Sequence, residues 1–212
     1  MKKIYLYSII VLLTTGLITF FAFKNSSVAD SKGYGVGDKV ANFSLKSVSG
    51  KMISMNTDAT IKGYILVFTC NHCPFSKAYE SRILDLDKKY ATKGYPVLAI
   101  NPNDPTAYEE DSFENMVSLA KSKNYSFEYL HDESQSVAKA FGASRTPSTF
   151  IVKKEGTSFV MSYIGAIDDN SQDTGSVSKK YVEDAVNNLL SGKPVVVNTT
   201  KAIGCAIKWR AN

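Results

Sequence analysis

Cysteine and histidine are scarce in this chain: its 212 residues hold three of the first and two of the second. Three cysteines do not make a disulfide scaffold, and one is left over whichever pair forms. A structural zinc site usually needs a second Cys/His pair at a spacing similar to the first. Beyond Cys70 and Cys73 there is only Cys205, and beyond His72 only His131. Charge of one sign is also in short supply. The formal net charge is +5, of which Lys2, Lys3 and Lys24 supply three, with no acid before Asp30, so the remainder carries +2. That balance gives no reason to expect a nucleic-acid partner. Internal repeats are missing as well, which excludes a solenoid or propeller.

What is present begins with Met1-Lys2-Lys3, an uncharged run over residues 4–23, and Lys24. A basic start before such a run reads as an export signal. The run is longer than the ~7–15 residues of a typical signal core and near the ~20 needed to span a bilayer. Ser27-Val28-Ala29 offers small residues for cleavage after Ala29, so a signal peptide over 1–29 and a retained inner-membrane anchor both stand. Either one leaves the basic end in the cytoplasm and places the rest in the periplasm or an equivalent oxidising, extracytoplasmic space. Residues 30–37 read as a linker, 38–192 as one domain, and 193–212 as a C-terminal tail packing on it.

The domain is organised around residues 65–75. Ile65-Leu66-Val67-Phe68 is a strand-favouring apolar run that leads directly into Thr69-Cys70-Asn71-His72-Cys73-Pro74. Proline is at home in the first turn of a helix, so a strand ends in two cysteines at a helix start. A helix N-terminus favours a thiolate, the nucleophile of disulfide exchange, and can bring a cysteine pKa from about 8.5 to about 3.5–7.5. The spacing puts both sulfurs on one turn, which predicts a redox-active disulfide between Cys70 and Cys73.

The remaining pattern alternates strands and helices. Phe43-Ser44-Leu45 and Met52-Ile53-Ser54-Met55 flank a Ser-Gly-Lys turn as a hairpin. Phe75, Tyr79, Ile83, Leu86 and Tyr90 recur at three and four residues as a helix face stopped by Gly94, and 96–100 is the next strand. Asp111 with Glu114 is a capping-type start for a helix through Lys123. A strand at 127–130, a short helix ending near Gly142, strands at 149–152 and 159–164, and an amphipathic helix at 182–190 complete an α/β sheet with an antiparallel pair at its late edge.

These residues resemble the thioredoxin fold and, within it, the redoxin group related to peroxiredoxins, the AhpC/TSA-like proteins. The strand–Cys-x-x-Cys–helix unit carries the resemblance, with Thr146-Pro147 before a strand, and the phrases Ala99-Ile100-Asn101, Tyr129-Leu130 and Gly204-Cys205-Ala206-Ile207-Lys208-Trp209. It spans residues 37–209 and implies a three-layer α/β fold, a central mixed sheet with helices on both faces and an N-terminal hairpin extension. It also implies a cis-proline at Pro147 beside the cysteines, leaving the Thr146 backbone open to pair with an extended substrate segment. An X–Pro bond reaches cis for only about 0.5–1 kcal/mol. His72, between the cysteines, is expected to stabilise the Cys70 thiolate and make the disulfide more oxidising.

The activity expected is thiol–disulfide oxidoreduction on protein partners, with Cys70 as nucleophile, Cys73 resolving, His72 tuning, and no cofactor or resident metal. Two other functions compete. A peroxiredoxin-like peroxidase would need a threonine where Cys70 stands and an arginine where Pro147 stands, Arg145 being displaced by two residues. A copper chaperone could use Cys70, Cys73 and either His72 or His131, at a Cys spacing shorter than such proteins use. Glu109-Glu110-Asp111, Asp168-Asp169 and His131-Asp132 read as solvated caps and turns, Trp209 as a packing anchor, and Cys205 as a buried packing residue rather than a third redox thiol.

Overall fold

The computed structural model describes residues 33–55 and 59–211; the N-terminal apolar run lies outside them. Among the described residues no helix is long and apolar enough to cross a membrane. The strands are β1 (Lys39–Val40), β2 (Ser44–Ser47), β3 (Met52–Ser54), β4 (Gly63–Phe68), β5 (Val97–Asn101), β6 (Glu128–His131), β7 (Arg145–Thr146), β8 (Ser148–Glu155), β9 (Ser158–Gly165) and β10 (Cys205–Ala206). The helices are α1 (Pro74–Tyr90), α2 (Phe113–Ser122), α3 (Ser136–Phe141) and α4 (Tyr181–Leu190).

All six residues of β4 are buried, as an unbroken apolar strand covered on both faces requires. It lies mid-sheet, parallel to β5 and antiparallel to β8, in the order β1-β9-β8-β4-β5-β6-β2-β3. Because side chains alternate across a strand, β4 feeds two cores. Ile65 and Val67 join Tyr79, Ile83, Leu86 and Tyr90 of α1 and Val182 and Val186 of α4. Leu66 and Phe68 join Val137 and Phe141 of α3, Phe150 of β8, and Ile207 of the tail. Each side chain buried to the extent of Ile83 contributes roughly 1.5–3 kcal/mol. The α1 helix ends at Tyr90, runs through a 3-10 turn (Ala91–Lys93), and stops at Gly94, whose φ of 93° is left-handed.

Several sequence-level expectations give way here. The cap of α2 is Ser112, whose hydroxyl accepts from the Asn115 backbone N–H; Asp111 is fully buried elsewhere. Asp132 is also fully buried, its carboxylate accepting from the backbone N–H of Ala138 at 2.7 Å, while the His131 ring sits 5.8 Å from that of Phe113. Asp168 is buried under Tyr79 and Arg82, which donate to it at 2.8 and 2.6 Å. These acids are therefore not solvated turns: Asp111 and Asp168 are sequestered by partners distant in sequence, and Asp132 by the first backbone N–H groups of α3. Trp209 remains 42% exposed, with Lys139 over its ring, and Ile207, 4% exposed, is the tail's packing anchor instead.

Candidate active site

The helix start belongs to Cys73, not to Cys70. Cys73 is the residue that caps α1, with Pro74 at its first position. Cys70 lies three residues earlier, where β4 has ended, and is 5% exposed. Its thiol pKa is consequently raised rather than lowered. Desolvation is the larger cause and the Asp111 charge the second; hydrogen bonds from Thr146, the Cys73 backbone and Ser76 pull the other way.

The disulfide is also not the one the spacing suggests. Cys73 is bonded to Cys205 across 132 residues, with Cα atoms 6.1 Å apart, and Cys70 is a free thiol. The motif's spacing allows a Cys70–Cys73 bond but does not force it, and β10 brings a second partner to Cys73. Cys205 is therefore not a packing residue. It is half-buried, on a strand whose register places it opposite Thr146.

All three cysteines converge on Thr146. Its hydroxyl lies 3.1 Å from the Cys70 sulfur, its carbonyl oxygen 3.3 Å from the Cys73 sulfur, and its backbone pairs with Cys205. The Thr146–Pro147 bond is cis. Gly204 is what lets the tail come this close: a Cβ there would stand 2.2 Å from the Thr146 carbonyl oxygen. Arg145 fastens the same turn, donating from Nη1 to the Gly204 carbonyl at 2.9 Å.

His72 is held by a carboxylate that the sequence did not reveal. Its Nδ1 is 2.5 Å from Asp111 Oδ2, and its ring stacks on Tyr108 with centroids 3.9 Å apart and planes 4° from parallel. An ionised carboxylate accepts only, so Nδ1 carries the proton. Asp111 also accepts from the Asn71 backbone N–H at 2.6 Å and the Asn103 amide at 2.8 Å, and more weakly from the His72 backbone N–H and the Asn101 amide, each at 3.4 Å. Asp111 is 40 residues from Asn71, and its capping-type spacing to Glu114 points elsewhere; only the fold puts it here. Cys70, His72 and Asp111 each offer a ligating atom within 4.8 Å of the others, a soft-and-hard donor set whose carboxylate is already engaged by these hydrogen bonds. His131 is in none of this. A cleft of about 210 Å³, lined in part by Cys70, Asn71, Ser76, Tyr125 and Tyr129, opens beside the free thiol.

The AhpC/TSA family model matches residues 36–157. A conserved, uncharacterised protein from Geobacillus kaustophilus is 35% identical with a TM-score of 0.78, covering 86% of this chain and 96% of that one. A hypothetical protein from Sinorhizobium meliloti is 33% identical with a TM-score of 0.77, covering 86% and 98%. The thiol-disulfide oxidoreductase ResA of Oceanobacillus iheyensis is 28% identical over 158 residues, 73% of this chain and 78% of that protein. A Chlorobium tepidum structure described as a putative thiol:disulfide interchange protein DsbE, 18% identical with a TM-score of 0.54 over 74% of this chain and 98% of that one, shares the thioredoxin-like fold. The match spans the β4–Cys70–Cys73–α1 unit and the cis-proline loop, and with it the chain belongs to the AhpC/TSA family.

Proposed function

We propose that the protein is a thiol–disulfide oxidoreductase that exchanges disulfides with protein partners outside the cytoplasm, exported or anchored through residues 4–23. The observation that carries this is a free buried thiol, Cys70, three residues before the disulfide-bonded Cys73, with both sulfurs against one threonine. Similarity to ResA supports the same reaction class.

The step runs as thiolate chemistry. Cys70 loses its proton and attacks a partner's disulfide; one partner sulfur leaves as a thiolate and the other is held to Cys70. Cys73, once a dithiol reductant has taken up the Cys73–Cys205 bond as its own disulfide and left both cysteines as thiols, then attacks the Cys70 sulfur, giving Cys70–Cys73 and a reduced partner. In reverse the same steps oxidise a dithiol. Thr146 supplies a hydroxyl to the Cys70 sulfur and a strand edge to the partner, and the His72–Asp111 pair sits close enough to influence the thiolate. Placing Cys70 in a pocket that raises its pKa makes its thiolate scarce and intrinsically more nucleophilic.

The peroxidase reading lacks its polarising arginine, because Arg145 is spent on the Gly204 carbonyl. Equilibration in stepped glutathione buffers tests the proposal. The protein should show a two-electron transition that Cys70→Ser removes from the Cys70–Cys73 pair, together with loss of protein-disulfide reduction. Full activity in Cys70→Ser would refute it, and so would reaction with hydrogen peroxide at peroxiredoxin-like rates.

A further inference from the structure

Cys73 is the shared member of two possible bonds. One partner, Cys70, is three residues away on the same loop. The other, Cys205, is delivered by the tail, and the way the tail is built singles it out. Residues on either side of the cysteine are tied down. Upstream, the Thr200 hydroxyl lies 2.6 Å from Tyr163 Oη and accepts from the Ala166 N–H at 2.9 Å. Downstream, Ile207 is in the core, the Lys208 carbonyl accepts from Gln135 at 2.8 Å, and the Arg210 N–H donates to Gln135 at 2.9 Å. Between these anchors the bridge is only partly covered, with Ile203 58% accessible, Ala206 exposed and Cys205 half-buried. Besides the Cys73–Cys205 disulfide, it is held to the domain by two paired residues with β7 and the Arg145–Gly204 contact.

That bridge lies along a strand edge. β7 pairs with β10 and lies outside the eight-stranded sheet, so without the bridge the Arg145–Thr146 backbone would present the unpaired groups on which an extended segment docks as an added strand. The tail therefore occupies the position, and Cys205 one of the sulfur positions, that a cysteine-bearing partner segment would take. Asn103 connects the bridge's anchor to the site: its Oδ1 accepts from the Lys208 N–H at 3.0 Å while its amide donates to Asp111.

We propose that Cys205 is a third catalytic thiol, whose bond to Cys73 exchanges with Cys70 and thereby clears the β7 edge for an extended, cysteine-bearing segment of a partner protein. The inference rests on the oxidoreductase reading above and adds a residue to it. In the step, the Cys70 thiolate attacks the Cys73 sulfur, the Cys73–Cys205 bond breaks, and Cys205 leaves as a thiolate that takes up the proton Cys70 lost. One disulfide and one thiol are present before and after, so no external oxidant or reductant is consumed. The product has Cys70–Cys73 joined and Cys205 free on a bridge that can leave β7 while both its anchors hold.

The experiment uses the full chain, brought to one disulfide per molecule in glutathione buffer, freed of glutathione, acid-quenched at intervals, alkylated and peptide-mapped. Wild type should give both the Cys73–Cys205 and Cys70–Cys73 peptides. A sample enriched in the first should redistribute toward the mixture with no thiol added. Cys70→Ser should hold only Cys73–Cys205 and Cys205→Ser only Cys70–Cys73. Gly204→Ala, which removes no sulfur but drives a methyl into Thr146, should shift the mixture several-fold toward Cys70–Cys73, with circular dichroism confirming that it folds. The inference is overturned if Cys70→Ser forms no Cys73–Cys205 bond, or if the wild-type bond never redistributes, while Cys205→Ser still forms Cys70–Cys73. If Cys205→Ser exchanges with neither glutathione nor a protein disulfide, the oxidoreductase reading itself fails.

Discussion

Replacing Asp111 by asparagine tests how the site is held together. The carboxylate is fully buried and receives the Asn71 N–H and, more weakly, the His72 N–H and the Asn101 side-chain amide, each at 3.4 Å, on Oδ1, and His72 Nδ1 and the Asn103 amide on Oδ2. Asparagine retains one acceptor oxygen for the backbone donors and the Asn101 amide. Its amide nitrogen must then face His72 and Asn103. His72 can change tautomer and accept, but the Asn103 amide meets another donor and is left unsatisfied. One buried unsatisfied donor costs about 1–3 kcal/mol, and losing the charge from the surviving hydrogen bonds costs about 1 kcal/mol more. The sum, about 2–4 kcal/mol, corresponds to a drop in melting temperature of roughly 5–15 °C for a domain of this size. The same substitution deletes the second-largest cause of the raised Cys70 pKa, so that pKa should fall while desolvation still keeps it above the ordinary value. Thermal unfolding measures the first effect, and iodoacetamide alkylation of Cys70 against pH, in a Cys73→Ser/Cys205→Ser background, the second. An Asp111→Asn protein that melts within a degree of its parent and alkylates with the same pH profile would refute the reasoning.

Three further outcomes are expected. Burial lowers the His131 pKa below 6.5, and its Nε2 is buried without a hydrogen-bond partner among the described residues; the stability it contributes is present above pH 6.5 and lost as pH falls through the folded-state value. Urea unfolding should therefore show less loss of stability between pH 7 and about pH 5 in His131→Asn than in wild type, and identical slopes would contradict the assignment. Gly63→Ala should cost at least ~2 kcal/mol or prevent folding, because its Cβ would lie 2.2 Å from the Val152 carbonyl oxygen and 2.3 Å from the Tyr95 ring; an unchanged urea midpoint would contradict that. Tyr79→Phe should destabilise by about 1–3 kcal/mol, read from the same transition, since it removes the hydroxyl donating to buried Asp168.

The sequence made the scaffold legible where a single element carried its own periodicity. The β4 run, the α1 face at Tyr79, Ile83, Leu86 and Tyr90, and the Gly94 stop all needed only local chemistry. Thr146-Pro147 was legible through the resemblance. What escaped was assembled at long range. Asp111 looked like a cap because Glu114 follows it by three residues, yet a carboxylate is worth more against the Asn71 N–H and His72 than at an exposed helix start already served by Ser112. Cys205 looked inert because nothing beside it in sequence is basic or helix-starting. Its environment comes instead from Thr146 and Cys73, brought to it by a two-residue strand too short to show a pattern.

The central claim is that Cys70 is the attacking sulfur, and two single-cysteine proteins test it most directly. Cys73→Ser/Cys205→Ser leaves only Cys70, and Cys70→Ser/Cys205→Ser leaves only Cys73. Each is mixed with a protein disulfide, quenched at intervals and weighed by mass spectrometry. The account predicts that the Cys70 protein accumulates the mixed disulfide, faster as pH rises toward its raised pKa, and that the fully buried Cys73 lags well behind. A Cys73 protein that forms the adduct as fast as the Cys70 protein, or faster, would contradict it.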